Sequence, residues 1–204
     1  MIYSYHQKSG ENTFIMLHGT GGHEDDLLSL VHLIDPDASA LGILGDVLEN
    51  GLARYFKRYP DGRFDEANLK VQTEKLYHQI QHLLNKYNID PKHVTVLGYS
   101  NGANIFINLL KTYQTDFKNA ILLHPSSVAK GTAFKKQPNL AIFSSFGKQD
   151  PFISEKDYLS LIAEIREAKI PITSFESNYG HRLTQETLSE AKQFYIERGK
   201  HESI

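Results

Sequence analysis

The sequence predicts an α/β fold, a mainly parallel sheet with helices on both faces, and three observations carry that expectation. Short apolar runs rich in β-branched and aromatic residues alternate with amphipathic helical patterns, the signature of strands joined by crossover helices. Several runs are apolar almost without interruption, as strands covered on both faces should be. Prolines punctuate the alternation: Pro91 and Pro171 each follow a helical pattern and precede a new run.

In chain order, the first strand is expected over residues 13–17 (TFIML), and His23-Glu24-Asp25-Asp26 after it reads as acidic residues opening a helix. A strand over 40–44 leads into an irregular stretch, 46–62. The longest helix is expected over 65–87, where Leu69, Leu76, Ile80, Leu83 and Tyr87 recur at spacings that build one buried stripe. A strand over 94–97 and a helix over 103–111 follow, then a strand over 120–123, a second irregular stretch over 125–138, and a strand over 140–144. Ser154-Glu155-Lys156-Asp157 has the form of a capping box, and Tyr158, Leu161, Ile162, Ile165 and Ala168 continue from it with helical spacing. A strand over 172–176 and a helix over 184–198, with Leu188, Ala191 and Tyr195 inward, complete the series. In open sheets of this kind ligands sit at the carboxyl ends of the strands. Both irregular stretches leave such ends.

The 204 residues are expected to form a single domain, residues 1–204, since that length buries most of its apolar surface around one core. Forty per cent hydrophobic and 23% charged residues, without low-complexity runs, exclude a disordered or fibrous chain. A net charge of -2 supplies no field to attract nucleic acid or an anionic membrane. The absence of cysteine excludes disulfides, thiolate metal sites and a cysteine nucleophile. With no leader-like N-terminus and no long apolar segment, the expectation is a cytoplasmic protein without stable membrane insertion. Oligomeric state is left open, a homodimer included.

The stretch VTVLGYSNGAN, residues 94–104, runs from a strand pattern into a helix pattern through Gly98-Tyr99-Ser100-Asn101-Gly102. A serine in so sharp a turn needs small neighbours, because side chains flanking it would strike the strand and the helix. Three positions each occupied at about 7% match by chance with a probability on the order of several per cent in such a chain, so the motif alone decides little. Its setting between strand and helix decides more. A serine hydroxyl needs a base, and the base an orienting group. Asp150 follows the strand over 140–144, and His181 follows the strand over 172–176, giving the order Ser, Asp, His at carboxyl strand ends.

Competitors are worse placed. Asp157 falls in the first turn of a helix, Asp116 and His93 at the opposite edge of the sheet, and His201 in a tail. His124 ends the strand over 120–123, but no carboxylate follows it in the required order, which leaves it a wall or packing residue. Acyl transfer also requires donors for the developing oxyanion. His18-Gly19-Thr20-Gly21-Gly22 follows the first strand, so the backbone N–H groups of Thr20 and Asn101 are the expected pair. The same glycines could cradle a phosphate, yet they match neither the dinucleotide nor the P-loop spacing. His78 and His82 stand four apart on a helix but lack the glutamate of a metalloprotease pattern, and they lie away from the carboxyl strand ends. A solvated helix face is the expectation for this pair rather than a metal site.

Taken together, LHGTGG, GYSNGAN, GKQDPFI and GHRLT resemble a small α/β-hydrolase of the carboxylesterase/lysophospholipase family that includes the acyl-protein thioesterases. GDVLENGLARYFKRYPDGRFDEANL is similar to the bacterial carboxylesterase-like branch associated with hydroquinone. The resemblance implies an α/β-hydrolase fold without a cap domain, and a triad of Ser100, Asp150 and His181. It further implies an oxyanion hole from Thr20 and Asn101, no cofactor, and a small-molecule ester substrate cleaved through an acyl-enzyme. Thioester or lysophospholipid hydrolysis by the same triad is the alternative, and a non-catalytic small-molecule binding protein is the third reading. Phe152 departs from the pattern by putting an aromatic ring close to the triad, where it would narrow the acyl pocket. The segment 49–63, with Arg54, Lys57, Arg58 and Arg63 between Tyr55, Phe56 and Tyr59, reads either as a pocket flank or as a solvated basic loop anchored by its aromatics.

Overall fold

Each apolar run expected to be a strand is one, with bounds shifted by a few residues at most. In a computed structural model, which describes residues 1–200, the elements are β1 (Tyr3–His6), β2 (Thr13–Leu17), α1 (Leu28–Ile34), β3 (Ser39–Ile43), β4 (Val47–Glu49), β5 (Leu52–Arg54), α2 (Glu66–Lys86), β6 (Val94–Tyr99), α3 (Asn101–Thr112), β7 (Asn119–Leu123), β8 (Ala141–Gly147), α4 (Glu155–Glu167), β9 (Ile172–Ser177) and α5 (Gln185–Lys200). His201 lies outside the described residues.

Seven strands form one sheet in the order β1-β3-β2-β6-β7-β8-β9. Only β1 runs antiparallel to its neighbour, pairing Tyr3 with Ile43 and His6 with Ala40; the other pairs are parallel. Strand alternation splits the apolar residues between two faces. Ile15 and Leu17 of β2 pack with α2, α3 and α4, whereas Phe14 and Met16 face α1 and α5. The sheet is therefore covered on both sides, which is why its inner strands tolerate no polar alternation. Among the described residues no helix is long and apolar enough to cross a membrane.

Half of the capping box forms, the Asp157 carboxylate accepting from the Ser154 hydroxyl at 2.9 Å rather than from its N–H. Ser154 Oγ accepts from the Asp157 N–H at 3.1 Å and opens α4. Asp65 caps α2 in the same way through the Asn68 N–H.

Three local expectations need correction. The acidic run 23–26 lies in a turn ahead of α1, with no acid in that helix's first turn; Asp25 instead accepts from Ser4 Oγ at 2.5 Å and meets His6 Nε2 at 2.8 Å, tying the turn to β1. β1 itself was not expected, because Tyr-Ser-Tyr-His is half-buried throughout and carries no apolar run. The stretch 46–62 is not wholly irregular, since β4 and β5 form a hairpin in which Glu49 pairs with Leu52. Its two-residue turn, Asn50-Gly51, has φ of 52° and 80°, the positive values that a type I′ turn demands.

Candidate active site

Ser100 sits between the central strand β6 and α3 with φ 49° and ψ -110°, a left-handed backbone that an L-residue adopts only under tertiary constraint. Packing supplies that constraint. A Cβ at Gly98 would come within 2.9 Å of Ala103, and one at Gly102 would overlap the Leu17 carbonyl oxygen. The helix thus starts in contact with the end of β2, and the serine is forced outward between them. Gly102→Ala should cost at least about 1–3 kcal/mol, the usual range for overpacking, read as a lower urea midpoint; an unchanged midpoint would show that strand and helix separate freely.

The three residues expected from chain order come together. Ser100 Oγ lies 2.9 Å from His181 Nε2, and His181 Nδ1 lies 2.6 Å from Asp150 Oδ2. These partners assign the tautomer: Nδ1 carries the proton toward the carboxylate, and Nε2 accepts from the serine hydroxyl. The Asp150 side chain is buried, and burial by itself would raise its carboxyl; the Phe152 N–H and the two histidines outweigh that and hold it below the ordinary aspartate value. Its other oxygen, Oδ1, accepts from the N–H groups of Phe152 at 2.9 Å and Ile153 at 3.2 Å.

His124 is more than a wall residue. Its Nδ1 lies 3.2 Å from Asp150 Oδ2, so one carboxylate oxygen serves two imidazoles, and the rings of His124 and His181 meet edge to face at 5.1 Å. Burial lowers the His124 pKa and keeps it neutral, and its Nε2 has no hydrogen-bond partner although the Arg182 carbonyl acts on it from nearby. His124, Asp150 and His181 are, among the described residues, the one trio close enough to share a metal ion. The chemistry of the set argues for hydrogen bonding instead: both Nδ1 atoms point at the same oxygen, and a cation there would have to displace both protons. His78 and His82 form no such group; His78 faces Glu74 on α2.

The loops carrying Asp150 and His181 brace one another. The Gln149 N–H donates to the Tyr179 carbonyl and the Lys148 N–H to the Ser177 carbonyl, and the Tyr99 hydroxyl donates to the His181 carbonyl at 3.1 Å. Phe152 is 74% exposed and meets the His181 ring edge to face at 5.3 Å, on the solvent side of that imidazole. It also lines a cavity of about 820 Å³ with Tyr59, Phe64, Ser126, Ser127 and Lys130. Ala129, another lining residue, is held by Lys111, a buried residue of α3 whose Nζ donates to the Val128 and Ala129 carbonyls at 2.9 and 3.3 Å and to Glu164 at 2.6 Å.

The glycine-rich loop after β2 is locked from within. Gly45 N–H donates to His18 Nε2 at 3.0 Å, so His18 Nδ1 carries the proton and donates to the Gly19 carbonyl at 2.6 Å. Buried Tyr55 accepts from the His18 N–H and donates to the Ile43 carbonyl. As the first residue of α3, Asn101 has an N–H without an intrahelical partner. Neither it nor the Thr20 N–H makes a hydrogen bond among the described residues.

The segment 49–63 also differs from a solvated basic loop. Tyr55 and Phe56 are buried as anchors, but so is Arg54; Arg58 pairs with Glu49 and Arg63 with Asp61.

Residues 57–191 match the model of the dienelactone hydrolase family, a span that holds Ser100, Asp150 and His181 and leaves out Thr20. The chain is 39% identical over 197 residues to MhqD of Bacillus subtilis (strain 168), named as a hydrolase, covering 97% of this chain and 98% of that protein. The carboxylesterase of Bacillus cereus superimposes with a TM-score of 0.92 at 33% identity, over 96% of this chain and 93% of its own. YahD with malic acid gives a TM-score of 0.89 at 27% identity, over 97% and 98%.

Proposed function

This chain belongs to the dienelactone hydrolase family and is an esterase-type hydrolase, and on that premise we propose that it cleaves short-chain carboxylic esters through an acyl-enzyme on Ser100. The observation that carries the reading is the chain of contacts from Ser100 Oγ through His181 to Asp150, at 2.9 and 2.6 Å.

In this reading His181 Nε2 takes the hydroxyl proton as Ser100 Oγ bonds to the ester carbonyl carbon, and the carbonyl oxygen becomes an oxyanion facing the N–H groups of Thr20 and Asn101. The imidazolium, stabilised by the Asp150 carboxylate, then gives its proton to the departing alkoxide as the C–O bond breaks. Water repeats the sequence on the acyl-enzyme, with His181 as base, releasing the acid and restoring Ser100. The same reading takes the 204 residues as one hydrolase domain working in the cytoplasm, supported by a cysteine-free sequence and a single large sheet.

A fluorophosphonate probe tests it. One adduct on Ser100 is expected, absent from Ser100→Ala, and its rate should climb with pH across the range where histidines ordinarily lose their charge, about pH 5 to 8. The Asp150 carboxyl, held below its usual value, stays ionised across that range and adds no second limb. No adduct, an adduct that survives Ser100→Ala, or a flat profile would defeat the proposal.

A further inference from the structure

Arg54 is a costly residue where it stands. Its side chain is 3% exposed, and a buried guanidinium is tolerated only when its donors are engaged. Nε donates to the Phe56 carbonyl at 3.1 Å and lies 3.5 Å from Glu49 Oε2, while Nη1 reaches out of the hairpin to the Thr20 hydroxyl at 2.7 Å. Thr20 is itself exposed, so its hydroxyl has water available and does not need an arginine for satisfaction.

The neighbours of Arg54 in the chain reach the same place. The Ala53 carbonyl accepts from the Gly21 N–H at 2.8 Å, and the Tyr55 N–H donates to Asn101 Oδ1 at 2.7 Å. Three consecutive residues therefore hold Thr20, the residue after it and Asn101. Two of those held residues are the ones whose N–H groups would face the oxyanion.

We infer that residues 53–55 form a clamp on the oxyanion hole, with Arg54 as the positioning residue that fixes the Thr20 peptide through its hydroxyl. The inference rests on the proposed acyl-enzyme reading. The Thr20 loop is glycine-flanked, and its backbone could otherwise rotate its N–H away from the reacting carbonyl. The hydroxyl gives the clamp a side-chain handle beside that peptide, and the Asn101 carboxamide gives a second handle beside the other donor.

Thr20→Val tests this directly, because it preserves shape and backbone N–H and removes only the acceptor, leaving the contacts of Arg54 with Phe56 and Glu49 in place. A lost oxyanion donor costs about a hundred- to a thousandfold, so a misaligned one should lower kcat by about tenfold, with KM changed by less than about twofold. Thr20→Ser, which keeps the hydroxyl, should behave as wild type. Arg54→Met should lose kcat as well, and the double variant should be no worse than Arg54→Met alone. Wild-type kcat in Thr20→Val, a loss confined to KM, or additive losses in the double variant would overturn the inference. If the wild type is not acylated on Ser100 by the fluorophosphonate, the function itself falls and takes the clamp with it; if it is acylated and Thr20→Val is indifferent, the clamp alone falls.

Discussion

Ser100→Ala is expected to lower kcat by on the order of 10⁵- to 10⁶-fold, the scale seen when the nucleophile of a serine triad is removed, while KM moves little. The alanine keeps the left-handed backbone that Gly98 and Gly102 impose, so no strain is relieved and none is added. The backbone contacts at this position, N–H to the Leu123 carbonyl at 2.8 Å and carbonyl from the Asn104 N–H at 2.9 Å, do not involve the hydroxyl. What disappears is the one atom proposed to attack. Turnover measured alongside a urea titration separates the two effects: an unaltered unfolding midpoint with activity lost identifies the hydroxyl as the reacting group. A loss smaller than about a hundredfold would point to another nucleophile.

Asp150→Asn comes second, with an expected loss of about 10⁴-fold in kcat, the scale of a triad whose histidine is left in the wrong tautomer. Here the effect has an additional cause. Oδ2 accepts from two imidazoles and Oδ1 from two N–H groups, whereas a carboxamide has one accepting end, its oxygen, and one donating end, its NH₂. If the carboxamide turns its oxygen toward the histidines, its NH₂ confronts the N–H groups of Phe152 and Ile153. Either orientation sets donor against donor. The variant should therefore also be less stable at neutral pH, unlike Ser100→Ala. The Asp150 carboxyl has a depressed pKa, so its ionised form stabilises the fold. That contribution is present above the ordinary aspartate value of about 3.9 and is lost as pH falls through the depressed one, so the stability gap between wild type and Asp150→Asn should narrow in acid. Activity within tenfold of wild type would show that His181 is oriented by something else.

Most of the sheet was legible because its inner strands are largely apolar, and Ser100, Asp150 and His181 were legible because each follows a strand at its carboxyl end. Packing on both faces forces both patterns. What escaped has local physical reasons. β1 is a half-buried edge whose tyrosines pack on Tyr87, with ring centroids 4.1 Å apart for Tyr5, a contact with a residue far along the chain. The β4–β5 hairpin carried its signal in Asn50-Gly51, the pair that best suits a type I′ turn, inside a stretch whose charged residues masked it. His124 escaped because chain order admits one histidine per carboxylate, whereas a carboxylate oxygen has two lone pairs. Asn101 Oδ1 finds its partner in the Tyr55 N–H, and Arg54 Nη1 in the Thr20 hydroxyl. No spacing rule connects residues that meet through a hairpin and a loop.

The site spans unequal ground. Ser100 follows β6, the fourth of seven strands, whereas Asp150 and His181 hang from β8 and β9 at one margin, and much of β9 lies open to solvent. Marginal strands open at lower free energy than central ones. A transient fraying of β9 would carry the base away from a serine still held in its elbow, leaving a folded but idle molecule. Heat should thus silence this protein before it melts it, seen as ester turnover lost at a lower temperature than the far-ultraviolet circular dichroism signal.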